Sequence, residues 1–232
     1  MPPARSPLEI LEAQAAGCIR CPRLVVYREA VAREKRRAFR DQDYWGKPLP
    51  SFGDPAARLL VIGLAPAAHG GNRTGRMFTG DRSGDFLFAA LHETGFANQA
   101  GSRARGDGLE LRDCYITAAV RCAPPGNKPL PEEFANCRPY LEREIDLLAN
   151  VKVVVALGRI AFDAYLGVLK RRGQIPGRAG FAFGHAAEHK PAPGLPVLLA
   201  SYHPSQQNTS TGKLTLAMLL DVFRRARAVL GG

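Results

Sequence analysis

Four short apolar runs punctuate the chain, at residues 58–64 (Arg-Leu-Leu-Val-Ile-Gly-Leu), 115–120, 151–157 and 197–201. Each is continuously apolar and bounded by breakers, the pattern of a strand buried on both faces. The segments between them carry helical spacing. Residues 84–94 place Phe86, Leu87, Ala90 and Leu91 on one face. Residues 131–148 open with a proline and two glutamates, which suit a helix N-terminus. Helices are also expected from residue 158 to 165 and over 213–230. Upstream, Ser6-Pro7-Leu8-Glu9 reads as a capping box with proline at the first helical position, and Gly17 as the stop. A basic helix is expected over 23–40, and the Gly-, Pro- and cation-rich stretch 166–196 reads as irregular. Strands alternating with helices predict an α/β fold whose four-stranded parallel sheet is covered on both faces through right-handed crossovers. With no internal repeat, residues 1–232 read as one domain, including an N-terminal helical segment over 1–50.

Composition is that of a globular protein, with 46% hydrophobic and 23% charged residues. The net charge of +11, from 32 Lys+Arg against 21 Asp+Glu, says nothing about fold but favours a polyanionic partner. The 23–40 segment concentrates Arg23, Arg28, Arg33, Lys35, Arg36, Arg37 and Arg40 against Glu29 and Glu34. It can track phosphates or form a solvated face. No apolar run approaches the roughly 20 residues of a membrane span, and residues 1–6 lack the apolar core of a signal peptide. Five cysteines, an odd number, argue against a disulfide framework and for a metal site or free thiols, so a cytoplasmic location is expected.

Two loops carry the chemistry. Gly63-Leu-Ala-Pro-Ala-Ala-His-Gly-Gly-Asn-Arg-Thr-Gly-Arg-Met-Phe-Thr-Gly-Asp81 and His203-Pro-Ser-Gln-Gln-Asn208 each follow an apolar run directly. Loops leaving the carboxyl ends of parallel strands are where open α/β sheets bind ligands. An acid on one loop and a histidine on the other read as two halves of one site. Each also has a plain structural reading. Asp81 can cap the following helix, His203 can be a turn histidine, and Arg73 and Arg76 can be ordinary loop charges. His69 reads as a pocket wall. The chain has no Gly-Lys-Ser/Thr phosphate loop and no G-x-G-x-x-G, and Pro66 interrupts the first turn, which excludes the common nucleotide-binding classes.

Cys18 and Cys21 form a C-x2-C pair, while fourteen residues separate Cys122 from Cys137. Four thiolates can surround Zn²⁺ or a 4Fe-4S cluster, or serve as small buried hydrophobes. A gap of fourteen fits zinc's close pairs poorly, which favours iron–sulfur. Cys114, just ahead of a strand, reads as a packed thiol.

Taken together, Gly-Leu-Ala-Pro-Ala-Ala-His-Gly, His-Pro-Ser-x-x-Asn and the four-cysteine spacing resemble the uracil-DNA glycosylase superfamily, and most closely its iron–sulfur family 5, or type B, from Cys18 to the final helix. The resemblance implies a three-layer α/β/α fold and a 4Fe-4S cluster on Cys18, Cys21, Cys122 and Cys137. It also implies excision of deaminated bases from double- or single-stranded DNA by a monomer in the nucleoid. N-glycosidic cleavage builds positive charge on the sugar and negative charge on the leaving base. Asp81 is then expected to orient water or offset the sugar's charge, and His203 to donate to the base. Gly63, Ala65, Ala68, His69, Phe78 and Asn127 are expected around the base, with Phe78 beneath it. Arg73, Arg76, Ser205, Gln206 and Asn208 are expected on DNA, with 205–212 entering the minor groove. Ala68 stands where many branches carry a water-activating Asp or Asn, and Ala118 where type A relatives carry a base-reading Asn. A pocket without an amide reader discriminates by shape, worth only about 1–3 kcal/mol, so hypoxanthine is an expected further substrate. The competing expectation is an iron–sulfur module that binds DNA without cutting it.

Overall fold

The computed structural model describes residues 5–231; of the stretch read above for a signal peptide, residues 1–4 lie outside them. Chain order is α1 (Pro7–Ala16), α2 (Pro22–Glu34), β1 (Phe52–Gly53), β2 (Leu59–Gly63), α3 (Gly71–Thr74), α4 (Arg82–Glu93), β3 (Cys114–Ala118), α5 (Pro131–Leu147), β4 (Val153–Leu157), α6 (Arg159–Arg171), β5 (Glu188–His189), β6 (Val197–Ser201), α7 (Gln206–Ser210) and α8 (Leu216–Leu230).

The four apolar runs form the parallel core β3-β2-β4-β6 of the sheet. Every residue of β2, β3 and β4 is buried, as two-sided coverage demands. Alternate strand residues serve opposite layers. Leu59, Val61, Ile116 and Val155 pack under α4 and α8, whereas Leu60, Ile62, Val154 and Ala156 pack under α5, α6 and Leu8 of α1. Layering is therefore helix–sheet–helix. Among the described residues, no helix is long and apolar enough to cross a membrane.

The sheet has six strands, not four. The two-residue strands β1 and β5 add antiparallel at the outer edges, along β3 and β6. Such short strands leave little unpaired backbone at the edge. Residues 166–196 are also less irregular than expected, because α6 runs on to Arg171 and β5 lies within them. The basic helix ends early, at Glu34, with a 3₁₀ turn at Arg37–Phe39. Ser6 caps α1 through the expected box, with its side chain and that of Glu9 bonded reciprocally to backbone, and Gly17 ends the helix.

Chain connections put the topological switch between β2 and β4. The link from β2 to β3 runs through α4 on one face. The links from β3 to β4 and from β4 to β6 run through α5 and α6 on the other. Ligand sites of open α/β sheets lie outside the strand carboxyl ends at such a point. The loops after Gly63, Leu157 and Ser201 all emerge there.

Candidate active site

The first loop folds back across the end of β2. Phe78 adopts a left-handed backbone conformation (φ 51°) and is buried. Its ring lies against Gly63, where a Cβ would come within 2.8 Å of Cζ, so only glycine lets the ring sit there. His203, directly after β6, packs beside the same ring, with centroids 5.9 Å apart and planes tilted by 33°. Its Cβ stands 3.2 Å from where a Cβ on Gly158 would be, so the ends of β2, β4 and β6 meet around this aromatic pair. Burial alone pulls the His203 pKa down to about 4, which leaves the imidazole neutral at pH 7.

Asp81 does cap α4, its Oδ1 accepting from the Gly84 amide at 3.0 Å. The plain reading is thus correct, but it leaves the second oxygen to be accounted for. Oδ2 is pressed against the turn at Gly70, 1.9 Å from where a Cβ would stand. Burial pushes the carboxyl's pKa up, opposed by the Gly84 and Ser83 amides. A half-buried carboxylate held mainly by backbone amides, with Arg73 as its nearby counter-charge, is suited to meeting developing positive charge.

His69 is half-buried, and its Nδ1 lies 3.0 Å from the Tyr44 hydroxyl. Burial, then Arg36 and Arg73, lower its pKa. Tyr44 had no signal in the sequence, since it lies in a loop of mixed composition. Ala68 is half-buried in the same turn, while Ala65 packs toward the cysteine layer with Leu24 and Val120. Asn127 is exposed at a left-handed turn (φ 58°).

Several expected DNA contacts are committed inside the chain. Arg73 is buried, donates to the His69 and Gly80 carbonyls and to Gln42, and stacks 4.0 Å over Phe39. Arg76 is buried in an ion pair with Asp107 at 2.8 Å and bonds Thr79 and Ser102. Both guanidiniums fold the loop and do not face outward as phosphate contacts. Asn208 donates to the His203 carbonyl at 2.8 Å, so it positions the histidine. Ser205 caps α7, which occupies most of the segment expected as a loop. Gln206 is exposed.

Cys18, Cys21, Cys122 and Cys137 line one cavity with Arg28, Arg121 and Tyr140. Cys114 is fully buried elsewhere, in the core under α4 and α8. Burial raises the Cys122 thiol to about 11, against the pull of Arg28, and Cys137 to about 12. Arg28 of the basic helix turns inward and donates to the Cys122 sulfur at 3.0 Å. Arg121 pairs with Glu144 in full burial. The Nε atoms of both arginines lack any hydrogen-bond partner among the described residues.

Comparison with known proteins bears on the whole chain. Residues 50–227 match the family model described as the Uracil DNA glycosylase superfamily. A type-5 uracil-DNA glycosylase from Thermus thermophilus is 53% identical over 215 residues, covering 93% of this chain and 94% of that protein. A type-5 uracil-DNA glycosylase from Pyrobaculum aerophilum is 49% identical over 93% of this chain and 90% of its own length. A type-4 uracil-DNA glycosylase from the same organism is 30% identical over 70% of this chain and 74% of its own.

Proposed function

Since the chain belongs to the uracil DNA glycosylase superfamily, and within it to the type-5 uracil-DNA glycosylases, we propose that it excises uracil from DNA by hydrolysing the N-glycosidic bond. The observation that carries this reading is the Phe78–His203 pair at the sheet's switch point, in the same loop system as the Asp81 carboxylate. Duplex DNA hides the reacting bond, so the base must leave the stack and find a flat surface. Phe78, rigid against Gly63, offers that surface. The neutral His203 imidazole retains an N–H to donate to the base oxygen as negative charge builds there. Preorganised donors of this kind act most strongly where water is excluded. Amides of the 63–68 loop add to it. Asp81 supplies the anion that faces the sugar or orients the attacking water.

Base selection follows from what is missing. Ala118, buried at the end of β3, offers no side-chain amide, so base selection rests on shape, and hypoxanthine is accepted as well as uracil. On the DNA side, Gln206 and Asn127 are the exposed candidates for contact, while Arg73 and Arg76 shape the loop.

The four-cysteine cavity suits a 4Fe-4S cluster. It brings together four sulfurs and no carboxylate. With four thiolates such a cluster is anionic, and the unpartnered Nε–H groups of Arg28 and Arg121 suit that charge. When bound, the cluster would fasten the N-terminal segment to the 122 loop and α5, a structural contribution.

The test is incubation with a duplex carrying one uracil, followed by alkali. Strand scission at the uracil is expected. Stable binding with an intact strand would overturn the enzymatic reading and leave a DNA-binding module.

A further inference from the structure

α5 and α6 flank a cavity of about 550 Å³ that starts beside Ala119, just past the carboxyl end of β3, and runs along the two helices. Its floor is apolar, built from Phe134 and Leu141 of α5 and Ile160 and Ala164 of α6. Ile160 is 44% exposed, an apolar side chain with nothing covering it. Gly167 lies at the base, and a Cβ there would meet no atom within 4 Å, so the recess is open above the helix backbone. The rim carries Arg138, Lys170, Arg171 and Arg178 against one acid, Asp163. That acid is already shared between Arg159 and Arg178. Arg171 has only a long contact to Glu142, at 3.6 Å.

We propose that this groove docks an acidic, apolar-anchored segment of a partner protein. An apolar trough flanked by surplus cations matches a short amphipathic segment whose Leu or Phe side chains fill the floor while its carboxylates meet the rim. The volume falls within the usual range for a binding recess, and it is lined as one. Nucleic acid fits less well. Phosphates bring nothing apolar to fill the trough, and the bases of a duplex are stacked away. The groove begins at the strand ends, beside Ala119 and Ile160, and at about 1.5 Å of rise per residue its far end at Arg171 lies roughly 18 Å along α6. Its lining contains none of the residues assigned to excision, so the docking role is distinct from that chemistry.

The experiment uses the full chain and a fluorescein-labelled synthetic helix-forming peptide with Leu and Phe at i, i+3 and i+7 and Asp or Glu between them. Anisotropy should show saturable binding that weakens at least tenfold when the anchors become Ser. Gly167→Leu fills the open space without a clash and suits a helix better than glycine. It should abolish peptide binding while leaving uracil excision unchanged and the melting temperature no lower than that of the unaltered protein. Lys170→Glu with Arg171→Glu should weaken binding at least tenfold. Equal affinity for the anchorless peptide, or undiminished binding by the Gly167→Leu variant, would overturn the proposal. So would displacement of the peptide by a uracil-free single-stranded oligonucleotide that Gly167→Leu no longer binds, since the groove would then belong to nucleic acid.

Discussion

A single methyl group at position 70 tests how Asp81 is held. A Cβ on Gly70 would stand 1.9 Å from Oδ2 of Asp81 and 2.8 Å from its carboxyl carbon, where ordinary contact begins near 3.4 Å. Gly70→Ala therefore forces either the carboxylate or the turn to move by more than 1 Å. The carboxylate is the softer of the two, because it is a side chain held by the amides at the start of α4, chiefly that of Gly84. Rotating it away loses that cap, at about 1 kcal/mol of stability. Misplacing a reacting group by about 1 Å can cost around 100-fold in rate, equivalent to about 2.7 kcal/mol of barrier. Single-turnover excision from a labelled uracil duplex, read as alkali-labile sites, should slow by about that factor. Duplex affinity by anisotropy should stay unchanged, and the melting temperature should drop by a few degrees. Wild-type excision by a folded Gly70→Ala protein would refute the claim that this oxygen is held against the turn for catalysis.

Other outcomes follow from the same geometry. Asp81 must be ionised and its pKa is raised, so excision should be flat near neutrality and fall on acidification through a midpoint above the ordinary carboxylate value. His203, lowered to about 4, stays neutral around pH 7; a single-turnover pH profile with a break near 6.5 would contradict this. His203→Ala should slow uracil excision by about 100-fold with DNA affinity kept, and an unchanged rate would move the donor role elsewhere. Glu144→Ala strands the buried Arg121 guanidinium and breaks the 2.6 Å bond from Thr117. Denaturant unfolding should show a loss of about 3–5 kcal/mol, and a loss below about 1 kcal/mol would rule out a buried, paired state. Elemental analysis of anaerobically purified protein should give iron and acid-labile sulfide in equal amounts, diminished in Cys137→Ala; zinc in their place would contradict the cluster.

The parallel core was legible because its strands are buried on both faces and so read as unbroken apolar runs. Residues 197–201 coincide with β6 end to end, and the other three runs differ from their strands by one or two residues at one or both ends. The edge strands were not legible. Phe52–Gly53 and Glu188–His189 are too short to carry a period, and they exist because β3 and β6 offer them backbone partners. Charge in the first loop misled for a different reason. Arg73 and Arg76 look like solvent-facing cations in a polar loop, yet burial with carbonyls, Gln42 and Asp107 makes them its internal braces. Local sequence cannot show that, because Asp107 lies 31 residues away. For Asn208 the sequence did not show the bond it donates to the backbone carbonyl of His203. The Tyr44–His69 contact joins a loop of no recognisable pattern to one of strong pattern, and only the fold brings them together.

The most direct measurement is the single-turnover excision rate of Asp81→Asn on a duplex containing one uracil, taken beside its affinity for the same duplex. Asparagine keeps the size and much of the cap while removing the charge. A rate at least 100-fold below that of the unaltered protein, with affinity preserved, is the predicted result. An unchanged rate would contradict the account that this carboxylate meets the charge developing on the sugar.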